Sequence, residues 1–256
     1  MLTSLPSLLA LLALCLMRPL GAMLLLPLFG SATLGGSLIR NALALAISLP
    51  VLAGYASLSP PSGFALVAAL GGELVIGLVI GFCAALPFWA LDSAGYLIDT
   101  LRGASMGSLL NPALGSPSST TGLLLSQVLT VLFMAGGGFN QFLAALYQSY
   151  RFLPPGTSWF VAADVPAFVI GQWQMLFRLA LAFAMPALLV MLLVDVALGL
   201  VNRSAPQLNV FFLSMPIKSL LGLLMLLLAL STAFAPLIER MRGLERVLRP
   251  LWAGAG

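Results

Sequence analysis

Four ionisable residues, Arg18, Glu73, Asp195 and Arg203, stand inside or at the edge of long apolar runs, where a charge must pair, line a cavity or meet another protein. Such groups can relay protons or hold a small anion, which is the chemistry of a secondary transporter with broken helices. For Arg18 and Asp195 the alternative is snorkelling toward a nearby interface. Glu73 sits in Gly71-Gly-Glu-Leu-Val-Ile-Gly-Leu-Val-Ile-Gly81, where Gly77 and Gly81 make a GxxxG face suited to close helix approach; the alternative there is ordinary packing around a neutral carboxyl. Enzymatic chemistry has little footing. The chain has no histidine, Cys15 and Cys83 are isolated in apolar segments, and no carboxylate cluster has metal-ligand spacing. No nucleophile and base pair appears, so neither catalysis nor a cofactor nor a metal is expected.

A second set of polar residues is denser. Asn202-Arg-Ser-Ala-Pro-Gln-Leu-Asn-Val-Phe-Phe-Leu-Ser-Met-Pro-Ile-Lys-Ser219 places Asn202, Arg203, Gln207, Asn209 and Lys218 between two apolar runs. A bilayer core cannot satisfy their donors and acceptors, so they must lie in water or against protein. Asp92 and Asp99 are seven residues apart on one helical face, and Arg102 is three residues beyond Asp99, within reach of a surface ion pair.

The elements that must position these groups are hydrophobic helices. With 61% apolar and 7% charged residues among 256 and a mean hydropathy of +1.11, the chain reads as an all-α polytopic membrane protein. Apolar runs at about 5–29, 38–58, 64–91, 122–148, 175–200 and 211–236 are each near or above the roughly 20 residues of a spanning helix. Six long, kinked helices arranged as hairpins are expected, with prolines at 19, 27, 50, 87 and 186 as the causes of kinking. Run as one helix, the segment 64–101 would be about 57 Å long, so it should bend at Pro87 or protrude from a bilayer core. The turn 59–63 is tight, whereas 92–121 and 149–174 are long, polar and rich in Gly, Pro and Ser.

The first run lacks a basic n-region and is interrupted by Arg18, so it is expected to be retained. Residues 1–236 read as one membrane domain and 237–256 as a basic amphipathic tail. There Leu237, Met241, Leu244, Leu248 and Leu251 recur at helical spacing opposite Arg240, Arg242, Arg246 and Arg249. The arginines favour a cytoplasmic C-terminus, and an even number of spans would put the N-terminus on the same side. The net charge is only +4, and half of it lies in this tail at a membrane surface, which gives nucleic-acid binding little support.

Two segments carry a family resemblance: Gly95-Tyr-Leu-Ile-Asp-Thr-Leu-Arg-Gly-Ala-Ser-Met106 with Asn111-Pro112, and Asn202 to Phe212 with Pro216-Ile-Lys218. Both resemble the FliR/YscT/SpaR/HrcT family, the export-gate inner-membrane subunit of bacterial type III secretion systems. The likeness extends to Arg18, the Gly-Glu-Leu around Glu73 and the order of the six runs. It implies a noncatalytic subunit of the entrance portal through which unfolded substrates cross the bacterial inner membrane, within the basal body. Implied partners are several copies of two small export-gate membrane proteins, the switch protein and the large export-gate protein of the same system, the unfolded substrates, and membrane lipid.

The resemblance also implies that the loop from Ser105 to Thr121 plugs the resting channel, with Ser105, Met106, Leu109, Leu110, Asn111, Pro112 and Leu114 as plug residues. Its Gly and Pro oppose regular helix, its Ser and Thr can be hydrated, and Met106 and the leucines can exclude water. A plain hydrophilic connection is the alternative. Glu73, Asp99, Arg102, Asn202, Arg203, Pro206, Gln207, Asn209, Phe211, Pro216 and Lys218 are the implied assembly residues. Flagellar members often have Asp-Pro where this chain has Asn111-Pro112, and a Gly near Ser214, so the chain leans to the injectisome branch. A gating scheme that needs an acid at 111 does not fit it.

Overall fold

The computed structural model describes residues 5–30, 36–104, 119–156, 165–205, 207 and 209–253, and among them its regular elements are all helices. Helix α1 is Leu5–Leu25, followed by a 3-10 turn Pro27–Phe29. It stops where it does because Pro27 crowds Leu26 out of the helical region, at φ −76° and ψ 120°. Then come α2 (Ser37–Gly54), α3 (Phe64–Leu101), α4 (Thr120–Ala135), α5 (Gly138–Phe152), α6 (Val165–Ser204), α7 (Val210–Ala233), α8 (Ala235–Arg242) and α9 (Leu244–Ala253). Five helices are long and apolar enough to cross a membrane, or six if α4 and α5 together make one span. The chain is an all-α membrane protein.

Two of the expected runs end well short of their helices. α3 has 38 residues and α6 has 40, about 57 and 60 Å of helix, far beyond a hydrocarbon core of roughly 30 Å. α3 continues through Pro87, whose missing N–H removes one rung of its hydrogen-bond ladder. The run 122–148 is divided at three consecutive glycines. Gly137 has φ +75°, a left-handed conformation that ends α4, and a Cβ on Gly138 would fall 2.4 Å from the Phe133 ring. α5 then carries the chain to Phe152, four residues past that run, because Tyr147, Gln148 and Arg151 form the polar side of a helix. Hydropathy averages over both faces and so reads such a segment as a connection.

The chain divides into two compact units, one of residues 1–86, 133–172 and 241–256, the other of 87–132 and 173–240. In the first, Leu14, Met23, Ile76, Ile80, Phe142 and Leu146 are fully enclosed, and Phe29 stacks obliquely on Phe139 and Phe142 at 6.4 and 6.2 Å. The apolar edge of α9, Leu244, Leu248 and Leu251, is buried, and α9 packs on α5. In the second unit the core includes Leu91, Ile98, Leu129 and Ala187, with Phe183 edge-on to Phe234 at 5.4 Å. Many leucines of α6 and α7, Leu193, Leu220, Leu227 and Leu228 among them, remain exposed.

Candidate functional site

Arg18 is fully buried in the first unit and every nitrogen of its guanidinium is used. Nε donates to Glu73 Oε2 at 2.8 Å, Nη1 to Ser149 Oγ at 3.0 Å and Nη2 to the Leu153 carbonyl at 3.0 Å, while Nη2 also lies 2.8 Å from Glu73 Oε2. The Tyr150 ring lies under the guanidinium, 4.0 Å from Cζ to the ring centre. Glu73 Oε1 accepts the Gly156 N–H at 3.0 Å, so the carboxylate is satisfied on both oxygens. Tyr150 donates to the Cys15 carbonyl at 2.7 Å, and Tyr55 donates to the Tyr150 carbonyl at 2.7 Å. α1, α2, α3, α5 and the segment after α5 are thereby tied at one point.

Two buried charges are tolerable only with this degree of pairing, since each alone would cost several kcal/mol of desolvation. The same pairing leaves no free charge there for an anion. A proton relay would have to break the pair, which removes the main sequence argument for a transporter. Helix contact at this point is made by glycines. A Cβ on Gly77 would lie 2.2 Å from the Arg18 carbonyl oxygen, one on Gly81 2.3 Å from that of Ala22, and one on Gly21 2.5 Å from that of Leu74. The GxxxG face of α3 and Gly21 of α1 therefore bring backbone against backbone.

In the second unit Asp99 joins the end of α3 to the start of α4. Its Oδ2 accepts Ser119 Oγ at 2.8 Å and the Thr121 N–H at 3.0 Å, and its Oδ1 accepts Thr121 Oγ1 at 2.5 Å and pairs with Arg102 at 2.7 Å. Ser119 Oγ also accepts the Gly122 N–H at 2.8 Å, so Ser119 and Asp99 together cap the orphan amides that begin α4. Behind this junction Gly95 meets Gly122 so closely that a Cβ on Gly95 would sit 2.2 Å from the Gly122 nitrogen. Gly103 turns the chain out of α3 with φ +84°. The Asp99 carboxylate thus ties Arg102, just past the end of α3, to Ser119 and Thr121 at the start of α4.

Lys218, on α7, pairs with Asp195 of α6 at 2.5 Å and reaches the Leu101 carbonyl at 3.5 Å, one of the orphan acceptors at the end of α3. Asp195 is neither deep in apolar surroundings nor alone; it is 43% exposed.

Of the residues expected to matter, Ser105, Met106, Leu109, Leu110, Asn111, Pro112, Leu114 and Pro206 lie outside the described residues, and of Phe211 only its place in α7 is described. Glu73, Asp99, Arg102 and Lys218 are engaged as above. Asn202 and Arg203 end α6, Gln207 lies in the short turn and Asn209 precedes α7; all four are exposed, and Asn209 caps no helical amide with its side chain. Pro216 is exposed within α7. The structure does not bring the Glu73 pair and the 202–218 group into one unit.

Sequence reasoning did not find Ser149, Tyr150, Leu153 and Gly156, nor Ser119 and Thr121 as partners of Asp99. Signals existed. Phe142, Ala145, Leu146, Ser149 and Tyr150 continue a buried helical face past residue 148, and Ser119 ahead of Thr120-Thr121-Gly122 is a helix-start pattern. Among the described residues no group of His, Cys, Asp and Glu could hold a metal, and Cys15 and Cys83, both buried, are not joined in a disulfide.

Comparison with known proteins adds a consistent pattern. A family model described as bacterial export proteins, family 1, matches residues 9–244. The chain is 44% identical over 222 residues to the secretion system apparatus protein SsaT of Salmonella typhimurium, covering 85% of this chain and 86% of that protein. It is 41% identical over 224 residues to the Yop proteins translocation protein T of Yersinia pestis, covering 84% of each. The flagellar biosynthetic protein FliR of Aquifex aeolicus is 31% identical over 207 residues, covering 80% and 79%. Similarity is therefore greater to these two secretion proteins than to this flagellar one.

Proposed function

The chain belongs to the bacterial export proteins, family 1, and on that premise we propose that it is a noncatalytic subunit of a type III secretion export gate of the injectisome kind. The observation that carries this reading is the match over residues 9–244 together with 44% identity to a secretion apparatus protein along nearly the full length of both. In this role the chain lies in the bacterial inner membrane, its C-terminus on the cytoplasmic side. It joins copies of the two small gate proteins, contacts the switch protein and the large export-gate protein, and helps form the portal for unfolded substrates.

Two features of the fold support an assembled state. The hairpin between α6 and α7 ends in exposed Asn202, Arg203, Gln207 and Asn209, and the same two helices carry broad exposed apolar surface. A hairpin that is apolar along its sides and rich in donors and acceptors at its tip fits a subunit joint. Helices of about 60 Å are also longer than lipid alone requires, which suits a protein partly enclosed by partners.

The loop from Ser105 to Thr121 acts in this scheme as the plug that helps close the resting channel. Support comes from its anchorage, since Asp99, Arg102, Ser119 and Thr121 gather its two ends at one point. Arg203→Ala and Asn209→Ala should leave the isolated chain folded and reduce its incorporation into the gate complex before any change in substrate choice. Native gels of the complex, read beside secretion assays, test this. Full assembly with full secretion would remove the joint; full assembly with lost secretion would move these residues to a role in transport.

A further inference from the structure

We propose that the cleft between α5 and the C-terminal helices binds the phosphate-bearing headgroup of an anionic phospholipid. The cleft has a volume of about 560 Å³, and its walls include Arg151 and Phe152 from α5 and Arg242, Glu245, Arg246 and Arg249 from α8 and α9. Among the described residues none of these four arginines makes a hydrogen bond or an ion pair, and Glu245 is the only carboxylate in the wall. Four like charges around one concavity repel each other, and the low-dielectric wall focuses their field outward. A phosphate relieves that repulsion, and guanidinium groups match its oxygens two at a time.

Three observations favour a lipid as the source of the phosphate. Phe152 lines the same cleft and is 53% exposed, an apolar surface that an acyl chain covers and a soluble phosphate leaves wet. The leucines of α9 are buried within the chain, so this helix cannot lie on a bilayer by its apolar edge; what it presents is the arginine face. Finally, an arginine-rich end on a membrane protein has the bias of a cytoplasmic-side segment, and that leaflet carries anionic headgroups.

Native mass spectrometry of the full chain in detergent, with phosphatidylglycerol or phosphatidylcholine added, reads the site directly. Phosphatidylglycerol should be retained preferentially. The Arg246→Gln plus Arg249→Gln variant should lower that retention by about fivefold for each arginine removed. Arg151→Gln, on a different helix, must show the same kind of loss, which guards against a misfolded C-terminus. Arg178→Gln, outside the cleft, removes one charge as well and should change nothing. Equal retention of the two lipids, or no loss in the cleft variants, overturns the proposal. So does displacement by inorganic pyrophosphate at equimolar concentration, which would assign the cleft to a soluble phosphate compound, or preferential binding of a polyglutamate peptide, which would assign it to an acidic protein segment.

Discussion

Gly77 lies so close to Arg18 that a Cβ there would stand 2.2 Å from the Arg18 carbonyl oxygen, while Glu73, one turn earlier on the same helix, takes the Arg18 guanidinium at 2.8 Å. Backbone and side chain of a single residue on α1 are therefore held by successive turns of α3. The close approach made by the glycine lets a glutamate on the next turn reach an arginine that is out of contact with water.

That relationship is sensitive to a single methyl group. Gly77→Ala should separate α1 from α3 and lower stability by about 1–3 kcal/mol. Gly71→Ala, on the same helix with nothing within 4 Å of the new methyl, should be neutral or stabilising by up to about 1 kcal/mol. Unfolding of both variants in detergent measures the contrast; equal behaviour would show that the helices do not meet at Gly77.

Removing one partner of the buried pair leaves the other charged and enclosed. Arg18→Met or Glu73→Leu should each cost about 3–5 kcal/mol, and the double variant should recover much of the loss. Additive losses in the same unfolding assay would show that the two side chains do not interact.

Asp99 holds the first amides of α4. In Asp99→Asn the charge-assisted bonds from Thr121 and the pair with Arg102 are weakened, so amide exchange at Thr121 should accelerate about tenfold. Exchange in the middle of α4, at Leu129, should be little changed. A Thr121 amide still as protected as in the wild type would argue that another acceptor holds it.

The Asp195 and Lys218 pair should matter far less. Asp195 is 43% exposed, and Asp195→Asn should alter stability of the isolated chain by no more than about 1 kcal/mol. A loss of several kcal/mol in detergent unfolding would mean that this pair is more enclosed than its exposure indicates.

Class, order of helices and several groups in need of partners are legible in the sequence of this protein because they depend on local quantities. Apolar length alone identifies long helices, the cost of polar groups in lipid singles out Glu73 and the 202–218 stretch, and i, i+3 spacing relates Asp99 to Arg102. Gly77 and Gly81 likewise announce close helix contact by their spacing.

Which partner each charge meets was decided by the tertiary structure. Ser149 is 131 residues from Arg18, and Thr121 is 22 from Asp99 across the 105–118 segment, so no window of sequence joins them. The amphipathic end of α5 was hidden for a related reason: Tyr147, Gln148 and Arg151 give it the composition of a loop, while Ser149 and Tyr150 turn inward to the buried arginine. Sequence specifies which groups need partners through their burial and chemistry. Only the packing of helices, where backbones approach within a glycine's width, settles which groups satisfy them.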